Sequence, residues 1–426
     1  MAAYSSMDKN ALNEEYNKLS QAYEAYKAQG LSLNMARGKP CSQQLDISND
    51  ILNAITPETD FKTADCPDCR NYGNLDGIDA AKKLFGDIFG VDKKNVFVGG
   101  NSSLNMMFDT IACMMELGAN GEKPWNQQPD RKFLCPVPGY DRHFGVTEYF
   151  GFELITVPMT AEGPDMDIVE KLVSEDASIK GIWCVPKYSN PTGITFSDET
   201  VRRFAALKPA AKDFRIMWDN AYIIHDINDT PDKLLNIFDE AAKYGNEDMI
   251  FEFCSTSKIT FPGAGVAAMA ASENNLKLVK RRYNFQTIGY DKTNMLRHAA
   301  YFKDLDGVLA HMQKQRAILE PRFKMVTDTL DKELSGLDIA CWTKPNGGYF
   351  VSVDVLEGCA KRVVSLCKEA GVVLTGAGAT YPYGKDPKDS NIRLAPTYPP
   401  VHELEKAMDI FCICVKMAAI EKLTEG

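Results

Sequence analysis

A chain of 426 residues that is 45% hydrophobic and 25% charged holds enough apolar material for two packed cores beneath an ordinary hydrated surface. Its formal net charge of −10 excludes a general nucleic-acid binder, which needs clustered Lys and Arg against phosphate, but allows a local cationic pocket. No apolar run approaches the ~20 residues of a membrane helix, and the polar, Tyr/Lys/Glu-rich first 30 residues hold no signal-peptide core, so a cytoplasmic protein without membrane partners is expected.

In chain order, residues 7–28 predict a polar helix ending near Gly30, followed by an extended segment at 31–35. Residues 78–89 predict a helix stopped by a left-handed cap at Gly90. A short strand at 96–98 runs into Gly99-Gly100-Asn101-Ser102-Ser103, and Leu104, Met107, Phe108, Ile111, Met114 and Met115 then recur at helical spacing. Further strands are expected at 132–135, 153–157, 181–185, 215–218, 251–254 and 266–270. Several of these are continuous apolar runs, as strands covered on both faces are. The alternation predicts an α/β fold in which residues 50–300 form a large domain, a mostly parallel sheet flanked by helices. Residues 309–334 carry a long helical pattern with a kink expected at Pro321. Strands of a smaller sheet are expected at 348–354, 372–375 and 391–395, and a closing helix at 401–420. Residues 1–49 and 301–426 are read together as a smaller α+β domain.

The twelve cysteines are scattered through predicted strands and helices, as free buried thiols are. Cys66-Pro67-Asp68-Cys69 has zinc-knuckle spacing without a second CxxC or a His pair, so no metal is expected. Four other segments place reactive groups at or just past predicted strands, where open α/β sheets hold their ligands. Ser189-Asn190-Pro191-Thr192-Gly193 follows the strand at 181–185, and Asp219-Asn220-Ala221-Tyr222 follows the strand at 215–218. Ser255-Thr256-Ser257-Lys258 follows the strand at 251–254, and Arg393 lies in Asn391-Ile392-Arg393. Each alone has an ordinary reading: a turn, a helix N-cap with a packed Tyr, a solvated lysine, an ion-paired arginine. The inference rests on their joint occurrence in this order, with Asp219 29 positions after Asn190 and Lys258 a further 39 on.

In that order the segments resemble the fold-type I, pyridoxal-phosphate (PLP) dependent aminotransferases of class I/II, over nearly the whole chain. Local phrases resemble the bacterial aspartate aminotransferase subgroup Ic: Ala36-Arg37-Gly38-Lys39-Pro40, Asn71-Tyr72-Gly73-Asn74, Pro138-Gly139-Tyr140-Asp141-Arg142-His143, Ser257-Lys258-Ile259-Thr260 and Leu296-Arg297-His298. The resemblance implies that Lys258 holds PLP as a Schiff base and later moves a proton between the substrate α-carbon and the cofactor. It implies that Asp219 lies against the ring nitrogen, where a negative charge keeps the ring protonated and electron-withdrawing. Tyr222 and Asn190 are implied at the phenolic oxygen. Ser102, Ser103, Ser255 and Ser257 are implied around the phosphate, the first two at a helix start whose amides and dipole favour an anion. Asn-Ser-Ser is also an ordinary N-cap run. Tyr72 is implied to reach the phosphate from the neighbouring subunit of a homodimer. Arg393 is implied to pair with the substrate α-carboxylate through its guanidinium fork, with Gly38 and Asn190 beside it.

Two positions depart from that pattern. Many relatives carry a phosphate-gripping arginine eight residues after the lysine, where this chain has Val266. Val137 stands where relatives often carry the ring-stacking aromatic, leaving Tyr140 for that role. A dicarboxylic substrate needs a second cation, for which Lys292, Arg297 and His298 come first and Arg37 and Lys39 next; each is equally readable as a surface or interface charge. The resulting expectation is aspartate:2-oxoglutarate transamination by a ping-pong cycle, giving oxaloacetate and glutamate. The alternatives are an aminotransferase for alanine, aromatic or aminoadipate-type substrates, a PLP lyase on the same scaffold, and a PLP-domain ligand sensor without catalysis. A glycine-rich nucleotide-binding module is excluded because no G-x-G-x-x-G opens a helix near the start.

Overall fold

A computed structural model describes residues 3–425. Its centre is an eight-stranded sheet made of β1 (Val96–Val98), β2 (Lys132–Val137), β3 (Glu153–Thr160), β4 (Gly163–Pro164), β5 (Ile179–Cys184), β6 (Arg215–Asp219), β7 (Ile250–Ser255) and β8 (Ala267–Ala271). The spatial order is β1-β8-β7-β6-β5-β2-β3-β4. Strands β3, β2, β5, β6 and β7 pair in parallel, while β8 runs antiparallel between β7 and β1, and β4 antiparallel to β3. This is the mostly parallel, helix-flanked α/β sheet that the sequence pattern predicts.

Every residue of β5, β6 and β7 is buried, which explains their unbroken apolar runs. Successive side chains alternate between two cores. Phe133, Trp183, Met217, Phe251 and Phe253 pack on one face, and Leu134, Ile182, Cys184, Ile216, Trp218 and Ile250 on the other. Helix α2 (Asp79–Phe89) ends where Gly90 adopts φ 71°. Helix α3 (Ser103–Leu117) starts directly after the β1 turn.

A separate core gathers both ends of the chain. Leu12, Leu19 and Tyr23 of helix α1 (Lys9–Lys27) pack with Leu404, Met408, Phe411 and Val415 of the closing helix (Val401–Glu425). The long helix Leu305–Leu334 contributes Phe323, Val326 and Leu330 to that core and passes through Pro321 as one element. Three antiparallel strands, Ala340–Trp342, Val351–Val355 and Asn391–Leu394, form the smaller sheet. The segment expected as its fourth strand does otherwise: Val372 and Val373 pair in parallel with Leu33 and Asn34 as a two-stranded ladder of their own. The predicted strand at 348–354 starts only at Val351; before it, Gly347 lies against the Tyr188 ring, and Gly348, at φ 81°, lies against the Tyr188 Cβ and carbonyl. All twelve cysteines are free thiols, Cys66 and Cys69 buried beside α2. No helix among the described residues is long and apolar enough to cross a membrane.

Candidate active site

The parallel register brings the ends of β6 and β7 together, Asp219 opposite Phe253. On the other side of β7, Ser255 faces Ala267 of β8, whose amide and carbonyl bond Gly100 and Gly99 of the β1–α3 turn at 2.8 Å each. This topology sets Ser102 and Ser103 beside Ser255–Lys258, and Ser257 Oγ donates to the Asn101 carbonyl at 3.1 Å. A cavity of about 560 Å³ opens at that edge. Ser102, Ser103, Tyr140, Asn190, Asp219, Tyr222, Ser255, Ser257, Lys258, Arg393 and Gly38 all line it. Tyr72 does not; it stands 82% exposed on the surface.

Asp219 is buried, and its Oδ2 accepts a 2.9 Å hydrogen bond from His143 Nε2. His143 is itself stacked on Trp183, centroids 4.4 Å apart at 10°. The other carboxylate oxygen, Oδ1, is buried without a partner. Lys258 Nζ lies 4.9 Å from the Tyr222 ring centroid and 5.9 Å from that of Tyr349. Burial pushes the Lys258 ammonium below its ordinary value, with the Asp219 charge opposing. Burial raises Tyr222 well above its ordinary value, so its phenol stays protonated. Ser102 occupies the N-cap position of α3 but makes no side-chain cap bond, so the capping alternative for this run is not realised.

An amine, an unpaired buried carboxylate oxygen and hydroxyls at a helix start are the groups that a protonated pyridine bearing an aldehyde and a phosphate would engage. The donor set therefore fits PLP. Tyr140 lies on the cavity wall, edge-on to His143 at 4.9 Å. Val137, which stands where relatives often carry the aromatic, belongs to β2 and lines a different cleft. Val266 is buried, and its amide and carbonyl bond Thr256 at 2.9 and 2.8 Å. It turns no side-chain cation toward the cavity.

Arg393 is held from four sides. Its guanidinium donates to Asn190 Oδ1 at 3.1 Å and Thr375 Oγ1 at 3.2 Å, approaches Asp141 at 3.4 Å, and lies over the Phe350 ring at 4.6 Å. Gly38 closes on the same ring, so a Cβ there would strike Phe350. The expected second-cation residues at 292–298 are engaged elsewhere. Lys292 Nζ donates to the carbonyls of Asn71 and Gly73 at 2.6 and 3.0 Å. Arg297 bonds Asn294, and His298 packs against Thr256 and Thr260 with burial pulling its pKa down to about 4. None of the three lines the cavity, whereas Arg37 and Lys39 do.

Sequence reasoning gave no role to His143, Trp183 or Thr375. His143 lies in a phrase that resembles the family, three residues after Tyr140, and that spacing was its one available signal.

The aspartate amino-transferase family model matches residues 7–426. An aspartate aminotransferase of Corynebacterium glutamicum is 46% identical over 95% of this chain and 94% of its own. A Mycolicibacterium smegmatis protein, whose name carries aminotransfer without a substrate, is 43% identical over 99% of both chains. The crystal structure of an aspartate transaminase from Corynebacterium glutamicum superposes with a TM-score of 0.96 over 99% of both chains at 44% identity.

Proposed function

We propose that this chain, which belongs to the fold-type I PLP-dependent aminotransferases, transfers the amino group of aspartate to 2-oxoglutarate, giving oxaloacetate and glutamate in a ping-pong cycle. The observation that carries the substrate reading is the 46% identity, over nearly the full length, to a protein named for that activity. Bound PLP supplies an electron sink for the pair left at the amino-acid α-carbon when its proton departs.

The chain's own groups supply the rest. Lys258 would anchor the cofactor covalently, and its amine would take the α-proton and deliver it to the cofactor carbon that receives the amino group. Burial, which favours the neutral amine, suits it to that work. Asp219 would meet the ring nitrogen through its unpaired Oδ1, and the His143 bond fixes the carboxylate's rotation. Tyr222 and Asn190 would serve the phenolic oxygen, and Tyr140 would supply the aromatic face for the ring. The α3 amides with Ser102, Ser103, Ser255 and Ser257 take the phosphate in place of an arginine at Val266. Arg393 takes the α-carboxylate, with the Gly38 backbone and Asn190 alongside. The assembly is a cytoplasmic homodimer in which Tyr72 of each chain completes the other's phosphate site.

A donor panel with 2-oxoglutarate tests the substrate. Aspartate should be consumed fastest, and faster turnover of alanine or phenylalanine would overturn the assignment. The cofactor roles are tested by the visible absorption of the purified protein, which should be lost in Lys258→Ala.

A further inference from the structure

Lys258 and Arg393 have tasks in the reading above, which leaves three cationic side chains lining the cavity, Arg37, Lys39 and Arg142. The Lys39 ammonium rests on the face of Tyr398, 3.9 Å from its centroid. The side chains of Arg37 and Arg142 are exposed and make no hydrogen bond or ion pair among the described residues.

Arg142 is distinguished by how its backbone is held. It is the second residue of helix α4 (Asp141–Tyr149), and its neighbours in sequence are all committed to the site. Tyr140 lines the wall, Asp141 reaches Arg393 at 3.4 Å, and His143 is bonded to Asp219 at 2.9 Å and stacked on Trp183. The first turn of α4 is thus registered against the reacting groups, and Arg142 is the member of it left with no partner. A cation in that turn is unfavourable by itself, because a helix N-terminus already carries partial positive charge. Arg393 adds a full charge to the same cavity lining, with the Asp141 carboxylate 3.4 Å from it. The wall is therefore arranged to receive more than one negative charge.

We propose that Arg142 binds the side-chain carboxylate of a dicarboxylic substrate, so that Arg393 and Arg142 of one chain grip the two ends of the amino acid. The inference rests on the aspartate reading above and assigns the residue that selects its side-chain carboxylate. A monocarboxylic donor leaves Arg142 solvated, so discrimination comes from a charge that one substrate carries and the other lacks. A long side chain free at the rim also suits a cycle that alternates a four-carbon and a five-carbon dicarboxylate, since the fork follows the carboxylate outward.

The test compares holoenzyme carrying R142A, R142K or R37A with wild type, using aspartate and alanine as donors and succinate as a non-reacting dicarboxylate. R142A should lower kcat/KM for aspartate about 100-fold, chiefly through KM, and lower that for alanine far less. Stabilisation of the protein against heat by succinate, which needs no turnover, should disappear in R142A and survive in part in R142K. An unchanged aspartate-to-alanine ratio and succinate shift in R142A would overturn the inference, as would loss of both in R37A alone. Wild type without preference for aspartate would remove the substrate reading and this inference with it. Preference that persists in R142A removes the inference alone.

Discussion

Replacing Glu252 by Gln probes the layer directly behind Asp219. Glu252 is 3% exposed on β7, and its Oε1 accepts a 2.7 Å bond from Nδ2 of Asn220, the residue after Asp219. Burial pushes its pKa from an ordinary 4.5 up to about 8, with the Asn220 bond opposing. A second feature favours the neutral acid. Asn220 Oδ1 is buried without a partner, and the protonated carboxyl has an O–H with which to answer it. Because the folded value lies above the unfolded one, the folded chain holds an extra proton between those two pH values. Stability is therefore full below pH 4.5, falls as pH rises toward 8, and levels off above it. The gap from 4.5 to about 8, at about 1.36 kcal/mol per pH unit, sets a ceiling of about 5 kcal/mol. Relaxation around the ionised carboxylate reduces this to an expected loss of about 2–4 kcal/mol between pH 5 and pH 9. Gln keeps the shape and the acceptor and never ionises. In urea unfolding, Glu252→Gln should match wild type within about 1 kcal/mol at pH 5 and exceed it by about 2–4 kcal/mol at pH 9. Parallel stability profiles across that range would refute the reasoning, because they would place the same proton count on both folded states.

Two further predictions concern the reacting groups. His143→Phe keeps a ring on Trp183 and deletes the bond to Asp219, so kcat should fall about 10- to 100-fold with little change in KM or Tm; an unchanged kcat would mean that Asp219 is held without it. Mixing Lys258→Ala chains with Tyr72→Ala chains should create heterodimers with one doubly impaired and one intact site. An equal mixture would then recover about a quarter of wild-type activity, whereas activity equal to the mean of the two pure variants would show that Tyr72 serves no partner's site.

The large sheet was legible because its central strands are buried on both faces. Strands such as β5 and β7 have no solvent side, so apolarity runs unbroken along the sequence and marks them. The edges were harder to place. The predicted ends of β2, β5, β6, β7 and β8 fall within two residues of the observed ones and that of β3 falls three short, since hydrogen bonding, not apolarity, decides where a strand stops. Val372 and Val373 have the β-branched character of a strand but no sign of their partner. Their pairing with Leu33 and Asn34 joins segments more than 330 residues apart, in the core that also holds the N-terminal helix and the closing helix.

The site divides along a similar physical line. Groups that project from strand ends, Asp219, Lys258 and the Asn190 loop, were legible because the sheet fixes their positions along the chain as well as in space. The second-cation candidates at 292–298 were not, because a charge in the sequence does not say what neutralises it. Lys292 reads as a free ammonium until its Nζ is found bonded to the carbonyls of Asn71 and Gly73, where it anchors the loop that displays Tyr72. Arg142 reads as a helix-surface charge until every neighbour in its turn is seen to be spoken for. Lys292 thus contributes through the loop it holds and has no free charge for a substrate. Arg142 sits on a turn that the site itself immobilises and has one. The proposed selection by Arg142 therefore rests on its place in that turn, because Arg37 is unpaired at the cavity as well.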